Sequence, residues 1–265
     1  MLSIFSRLYL FNATTKWENK DVYLALRCGA LKKMIENLPI WIDITFIVTC
    51  ILTISLFHFS NGRPKKITLL IIIWSIIQSI LAYIGFYQIT DSVPPRFGIV
   101  LIPATILIVY GLLPKQQKWF SQIRQTEFST LLHSVRLPVE IVLFGLFTYK
   151  MIPELMTFEG RNYDIIIGIT APIIGWLFIK HKLSKKILLG WNIIGLILVL
   201  FILFNGILSA ELPFQQFGFE QPNRGINYFP FILLPATIVP IVIWTHLSDI
   251  IKLTKEIKTT PQQGV

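Results

Sequence analysis

Residues 187–208 read ILLGWNIIGLILVLFILFNGIL, twenty-two positions without a charged side chain. At about 1.5 Å per residue a helix of that length covers about 33 Å, slightly more than the ~30 Å hydrocarbon core of a bilayer. The run is apolar on every side, so it needs no amphipathic periodicity to be read as a helix in hydrocarbon.

Six further runs of the same kind lie at 39–59, 67–87, 97–113, 128–149, 163–180 and 227–247. The expected fold is therefore all-α, a polytopic transmembrane helix bundle of about seven spans. The run at 97–113 is the shortest and calls for extension or tilt. Trp41, Tyr87, Trp119, Tyr149, Tyr163, Trp191, Tyr228 and Trp244 fall near span ends, where amphipathic rings sit at headgroup level. Trp74 lies deeper in its span.

Composition agrees. Apolar residues make up 54% of the 265-residue chain and charged residues 14%, against about 25% in soluble domains, and the mean hydropathy is +0.65. The expected organisation is an N-terminal segment over 1–38, a bundle over 39–250 and a cytoplasmic tail over 251–265. Residues 1–38 have neither a long apolar core nor a small-residue cleavage site, so no signal peptide is expected there. Two cysteines, Cys28 and Cys50, are too few for a disulfide framework or a cysteine metal site.

The net charge of +10 could suggest nucleic acid, but its distribution does not. The connections after the first, third and fifth spans, with the C-terminal tail, hold Arg63, Lys65, Lys66, Lys115, Lys118, Arg124, Lys180, Lys182, Lys185, Lys186, Lys252, Lys255 and Lys258. The alternate connections hold only Arg96, Lys150, Arg161 and Arg224. Lys and Arg concentrate on the cytoplasmic side, which places the C-terminus in the cytoplasm of a bacterial-type inner membrane. No nucleic-acid partner is expected, and attraction to anionic lipid is a secondary effect. Seven spans then put the N-terminus outside, against the preference of Arg7, Lys16, Lys20, Arg27, Lys32 and Lys33. An interfacial amphipathic helix at about 20–37, with Val22, Leu26, Ala30 and Met34 at i, i+4 spacing, would reconcile the two, as would a first run that does not fully cross.

A repeat runs through the bundle. Leu101-Ile102-Pro103-Ala104-Thr105-Ile106 returns 132 residues later as Leu233-Leu234-Pro235-Ala236-Thr237-Ile238, and Thr170-Ala171-Pro172-Ile173 lies about midway. Asn162-Tyr163 and Asn227-Tyr228 are 65 residues apart. The last six spans thus read as three helical hairpins of period near 66 after a leading helix, all in the same sense. Each interior proline removes a backbone donor and frees a carbonyl one turn back.

Chemistry concentrates in His133-Ser134-Val135-Arg136-Leu137-Pro138-Val139-Glu140. His133, Arg136 and Glu140 stand at i, i+3 and i+7, one helix face. Glu140 would lie about 16 Å deep, where a charge costs about 2.5–3.5 kcal/mol on the lenient insertion scale. It must pair with Arg136, lose its charge, or face a wet cavity. A second cluster occupies the outer connections, with Glu159, Arg161, Asp164, Glu220 and Arg224 able to hold a zwitterionic or phosphate headgroup or to form ordinary loop ion pairs. The connection at 209–226 is the longest, a length at which apolar loops often act as lids or binding surfaces.

All four histidines (His58, His133, His181, His246) fall at expected cytoplasmic ends, and none has the His-x-x-x-His spacing of a helical metal site, so they read as interfacial and no metal or cofactor is expected. Asn205, the polar residue within the quoted run, reads as packing glue between helices. No phosphate-binding glycine loop and no nucleophile elbow appears. The functional expectation is a small-solute transporter or ligand-binding membrane protein using Arg136 and Glu140. The alternatives are an enzyme acting on a lipid-linked substrate at the outer face, or an assembly subunit with a membrane-protein partner.

Overall fold

The computed structural model describes residues 34–259, and among them every regular element is helical. In chain order these are α1 (Ile40–Ser60), α2 (Lys65–Tyr83), α3 (Gly98–Leu112), α4 (Pro114–Ile123), α5 (Thr126–Leu132), α6 (Arg136–Thr148), α7 (Asp164–Ile179), α8 (Lys185–Leu208) and α9 (Val239–Thr259). The interfacial helix expected at 20–37 lies largely outside the described residues. Its last positions belong to a turn, with Asn37 at φ 60°. The bundle also runs past 250, since α9 continues unbroken to Thr259 and buries Leu253.

Five helical units are long and apolar enough to cross a membrane: α1, α2, the α5–α6 unit, α8, and α9 with the segment before it. A sixth follows if α3 and α4 count as one span bent by 76°. Pro114 causes that bend. The residue before a proline is pushed out of the helical region, and Leu113 adopts φ −57°, ψ 145° while Pro114 opens the next helix. The one remaining expected span, at 163–180, corresponds to α7, which has 16 residues and a length of about 24 Å.

The element at the centre is α9. With its preceding segment it has 72% of its apolar window buried, against 22% for α2 and 28% for α8. Close approach to α3 depends on Gly111, where a β-carbon would stand 2.6 Å from the Trp244 indole nitrogen. The Trp244 ring in turn packs edge-on against Phe57 and Phe120, with centroids 5.4 and 4.7 Å away. Before α9 the chain takes one wide π turn, Leu234–Ile238, bracketed by Pro235 and Pro240. Pro240 cannot donate to the carbonyl of Ala236 four residues back. The indole of Trp74, deep in α2, donates to that carbonyl at 3.0 Å, and Ser75 bonds Thr237 at 2.8 Å.

Contacts sort the connections into two ends. At one end Gln125 donates to the Ser60 carbonyl, Lys252 to the Arg124 carbonyl, and Lys185 pairs with Glu256 at 2.7 Å. Arg124 is sealed there. Its guanidinium donates to Asp249 at 2.5 Å, Asn61 at 2.8 Å and the Thr245 carbonyl at 3.0 Å, and Ser129 donates to the other Asp249 oxygen at 2.7 Å. At the opposite end the connections 149–163 and 209–233 are knitted together. Arg224 N–H donates to Met151 O, Asn223 N–H to Ser209 O, and the Gln221 amide to Phe147 O. The long connection is a packed cap rather than a free flap.

Candidate functional site

The site begins with a break. Pro138 removes the donor for the Ser134 carbonyl, and residues His133–Val135 tighten into a 3₁₀ turn between α5 and α6. Past the turn, Arg136 and Glu140 point into the bundle, 3% and 1% exposed. Glu140 lies about 21 Å along the α5–α6 unit, which begins at Thr126.

Helix α7 crosses α6 at Gly168, where a β-carbon would meet the Leu137 nitrogen at 2.7 Å and Arg136 at 3.2 Å. One turn earlier on the same face, Asp164 thereby arrives opposite Arg136, and the two pair at 3.3 Å with both side chains buried. The guanidinium also donates to the Gly195 carbonyl at 3.3 Å and to His246 Nε2 at 2.9 Å. Arginine has only donors, so Nε2 accepts; Nδ1 then carries the ring hydrogen and donates to Asn192 Oδ1 at 2.9 Å. Gly195 makes room for this arrangement, since a β-carbon there would lie 2.5 Å from the His246 ring. His133 stacks on His246 with centroids 3.7 Å apart and planes 12° from parallel.

Glu140 has a different partner from the one its spacing suggests. No Arg136–Glu140 ion pair forms among the described residues, because the guanidinium is turned toward α7, α8 and α9. Instead Asn162 donates to Glu140 Oε1 at 2.6 Å and to Met156 O at 3.1 Å, while its own oxygen accepts from Asp164 N–H at 3.2 Å. This asparagine thus holds the first N–H of α7 and ties the connection before that helix to Glu140.

Arg136, Glu140, Asn162, Asp164 and Asn223 line one end of a cavity of about 70 Å³ whose remaining wall is apolar, including Val139 and Leu143 from α6, Val199 and Ile202 from α8 and Val242 from α9. Such a space exceeds the ~10–15 Å³ that one water requires. Two acceptors on this wall, Glu140 Oε2 and Asn223 Oδ1, have no hydrogen-bond partner among the described residues, nor has the donor Arg136 Nε. Buried polar atoms are paired in more than nine cases of ten, and three of the unpartnered ones belong to residues of this one cavity wall.

The other residues singled out from the sequence separate. Glu159, Arg161, Glu220 and Arg224 are exposed and none lines the cavity. Arg161 lies over the Phe217 ring, 5.5 Å to its centroid. Arg224 pairs with Glu211, and that hydrogen bond holds its guanidinium above the ordinary arginine value. His133 and His246 are fully buried and stacked rather than interfacial, whereas His181 is exposed and His58 bonds Thr68 at 2.7 Å. Among the described residues no three His, Cys, Asp or Glu side chains converge on a metal position. Sequence reasoning met Asn162 only in the repeated Asn-Tyr pair and did not single out Asn192 or Asn223. An amide inside an apolar run, the signal that drew attention to Asn205, also marks Asn192. Asn205 itself bonds the Phe201 carbonyl within its own helix at 2.8 Å.

The model of a family described as a domain of unknown function, DUF8737, matches residues 94–254, from before α3 to most of α9. That stretch contains every residue of the cavity wall. No curated protein and no solved structure matches the chain.

Proposed function

We propose, for a chain that belongs to the DUF8737 family, that it is a multi-pass membrane protein which binds a small solute at Glu140 and passes it across the bilayer. The observation that carries this reading is the buried carboxylate of Glu140 in the wall of a cavity between helices, one oxygen held by Asn162 and the other without a hydrogen-bond partner among the described residues. An ionisable group at such depth is costly, and it persists where it does work or where packing needs it. Arg136, the nearest cation, is already engaged by Asp164.

Membrane insertion is supported by the outer surface. Ile44, Val48 and Ile51 of α1, Ile166, Ile169 and Ile173 of α7, and Ile194, Ile197 and Phe204 of α8 are all exposed, far more apolar area than a soluble monomer displays. Seven crossings follow if the bent α3–α4 pair makes one and α7 makes another. The shortness of α7 is offset by the non-helical stretch before it, of which Asn162 is buried in protein. The basic end, with Lys118, Lys182, Lys185 and Lys252, then faces the cytoplasm and carries the C-terminus. The hairpins α2–α3, α5–α7 and α8–α9 descend from one duplicated unit, each placing a proline in its second arm.

The test is Glu140→Gln, which keeps the shape and the amide-like hydrogen bonds while removing the charge. Folded yield and thermal midpoint in detergent should stay near wild type, while any small mass retained by the wild-type protein in native mass spectrometry disappears. Collapse of the folded protein would instead assign Glu140 to packing.

A further inference from the structure

The charges and orphaned atoms around the cavity say what kind of solute fits, an inference that rests on the binding role proposed for Glu140. Two carboxylates, Glu140 and Asp164, face one guanidinium, Arg136. The nearby imidazole of His246 accepts from Arg136 at one nitrogen and donates to Asn192 at the other, so it is neutral. With both acids ionised the buried group carries one uncompensated negative charge. Its two unpartnered acceptors, Glu140 Oε2 and Asn223 Oδ1, come from different elements, α6 and the outer cap, and belong to residues that line the same cavity. Both residues are 1% exposed.

We infer that this cavity binds a small alkylammonium ion, its –NH₃⁺ group donating to Glu140 Oε2 and Asn223 Oδ1 and its alkyl group lying against Val139, Val199 and Val242. An ammonium group offers three donors, no acceptor and one positive charge, the complement of what the wall lacks. A hydroxyl offers one donor and no charge. A carboxylate would meet the single orphaned donor, Arg136 Nε, and would bring a third negative charge. The volume of about 70 Å³ restricts the alkyl part to a few carbons, well below the 150 Å³ that accepts benzene.

Three probes of nearly equal size separate these possibilities on the full chain in nanodiscs: ethylammonium, ethanol and acetate. Saturable binding is read by titration calorimetry, with millimolar affinity expected for so few atoms. In parallel, protection of Glu140 from a hydrophobic carbodiimide is read by peptide mass spectrometry on the wild-type protein, which needs no variant to fold. Ethylammonium should bind at least tenfold more tightly than ethanol or acetate, protect Glu140, and lose that affinity in Glu140→Gln. Equal binding of ethanol, or tighter binding of acetate, overturns the ammonium assignment and leaves the cavity's binding role standing. No protection by any probe, or undiminished ethylammonium binding in Glu140→Gln, overturns both.

Discussion

Arg136 ties α6 to three other helices, through Asp164 on α7, the Gly195 carbonyl on α8 and His246 on α9. Removing one member of a buried ion pair strands the other charge, typically at a cost of about 3–5 kcal/mol. Asp164→Asn should therefore lower the thermal midpoint in detergent markedly, whereas Glu140→Gln should lower it far less, because Arg136 keeps its ion pair with Asp164 when Glu140 loses its charge. Equal midpoints for the two variants would mean that Arg136 finds its counter-charge at Glu140 in the membrane. The sequence exposed both charges, since arginine and glutamate in an apolar run are conspicuous. Pairing with Arg136 was one of the three outcomes open to Glu140, because i, i+4 spacing is visible in a string, while the Gly168 crossing that delivers Asp164 to Arg136 is not. Asp164 itself read as one of the outer-loop acids, and its burial depends on how far the loop descends.

The segment where the chain turns into α9 shows the same division. Its prolines are plain in the sequence, and the need to satisfy a freed carbonyl follows from them. That Trp74, 162 residues away, supplies the donor for Ala236 could not be read, although the depth of Trp74 in its span set it apart from the interfacial rings. Trp74→Phe keeps most of the ring and deletes the donor. The expected loss is about 1 kcal/mol, in the range of single hydrogen bonds between membrane helices, read as a lower midpoint in detergent. An unchanged midpoint would show that the Ala236 carbonyl finds another donor. The α3–α4 corner was legible only in part. The shortness of the third run was evident, and Pro114 turned what looked like tilt into a 76° bend.

Across the molecule, the basic and the acid-rich connections gather at opposite ends, and this arrangement can be tested without a ligand. In a background lacking Cys28 and Cys50, a cysteine at Phe219 should react with a membrane-impermeant maleimide in intact cells. One at Lys182 should react only after permeabilisation. The reverse pattern would invert the orientation, and labelling of both in intact cells would argue against insertion. Helical class and the approximate places of the long helices follow from composition and run length, because long apolar runs with few charges can satisfy their backbone internally only as helices. Which side chains meet was decided by packing. Glycines at 111, 168 and 195 set how closely helices approach, and those distances choose Asp164 for Arg136, Asn162 for Glu140 and His246 for His133. Contacts between residues 22 to 113 positions apart arise from the crossing of helices, a property of the folded bundle that no local pattern of residues encodes.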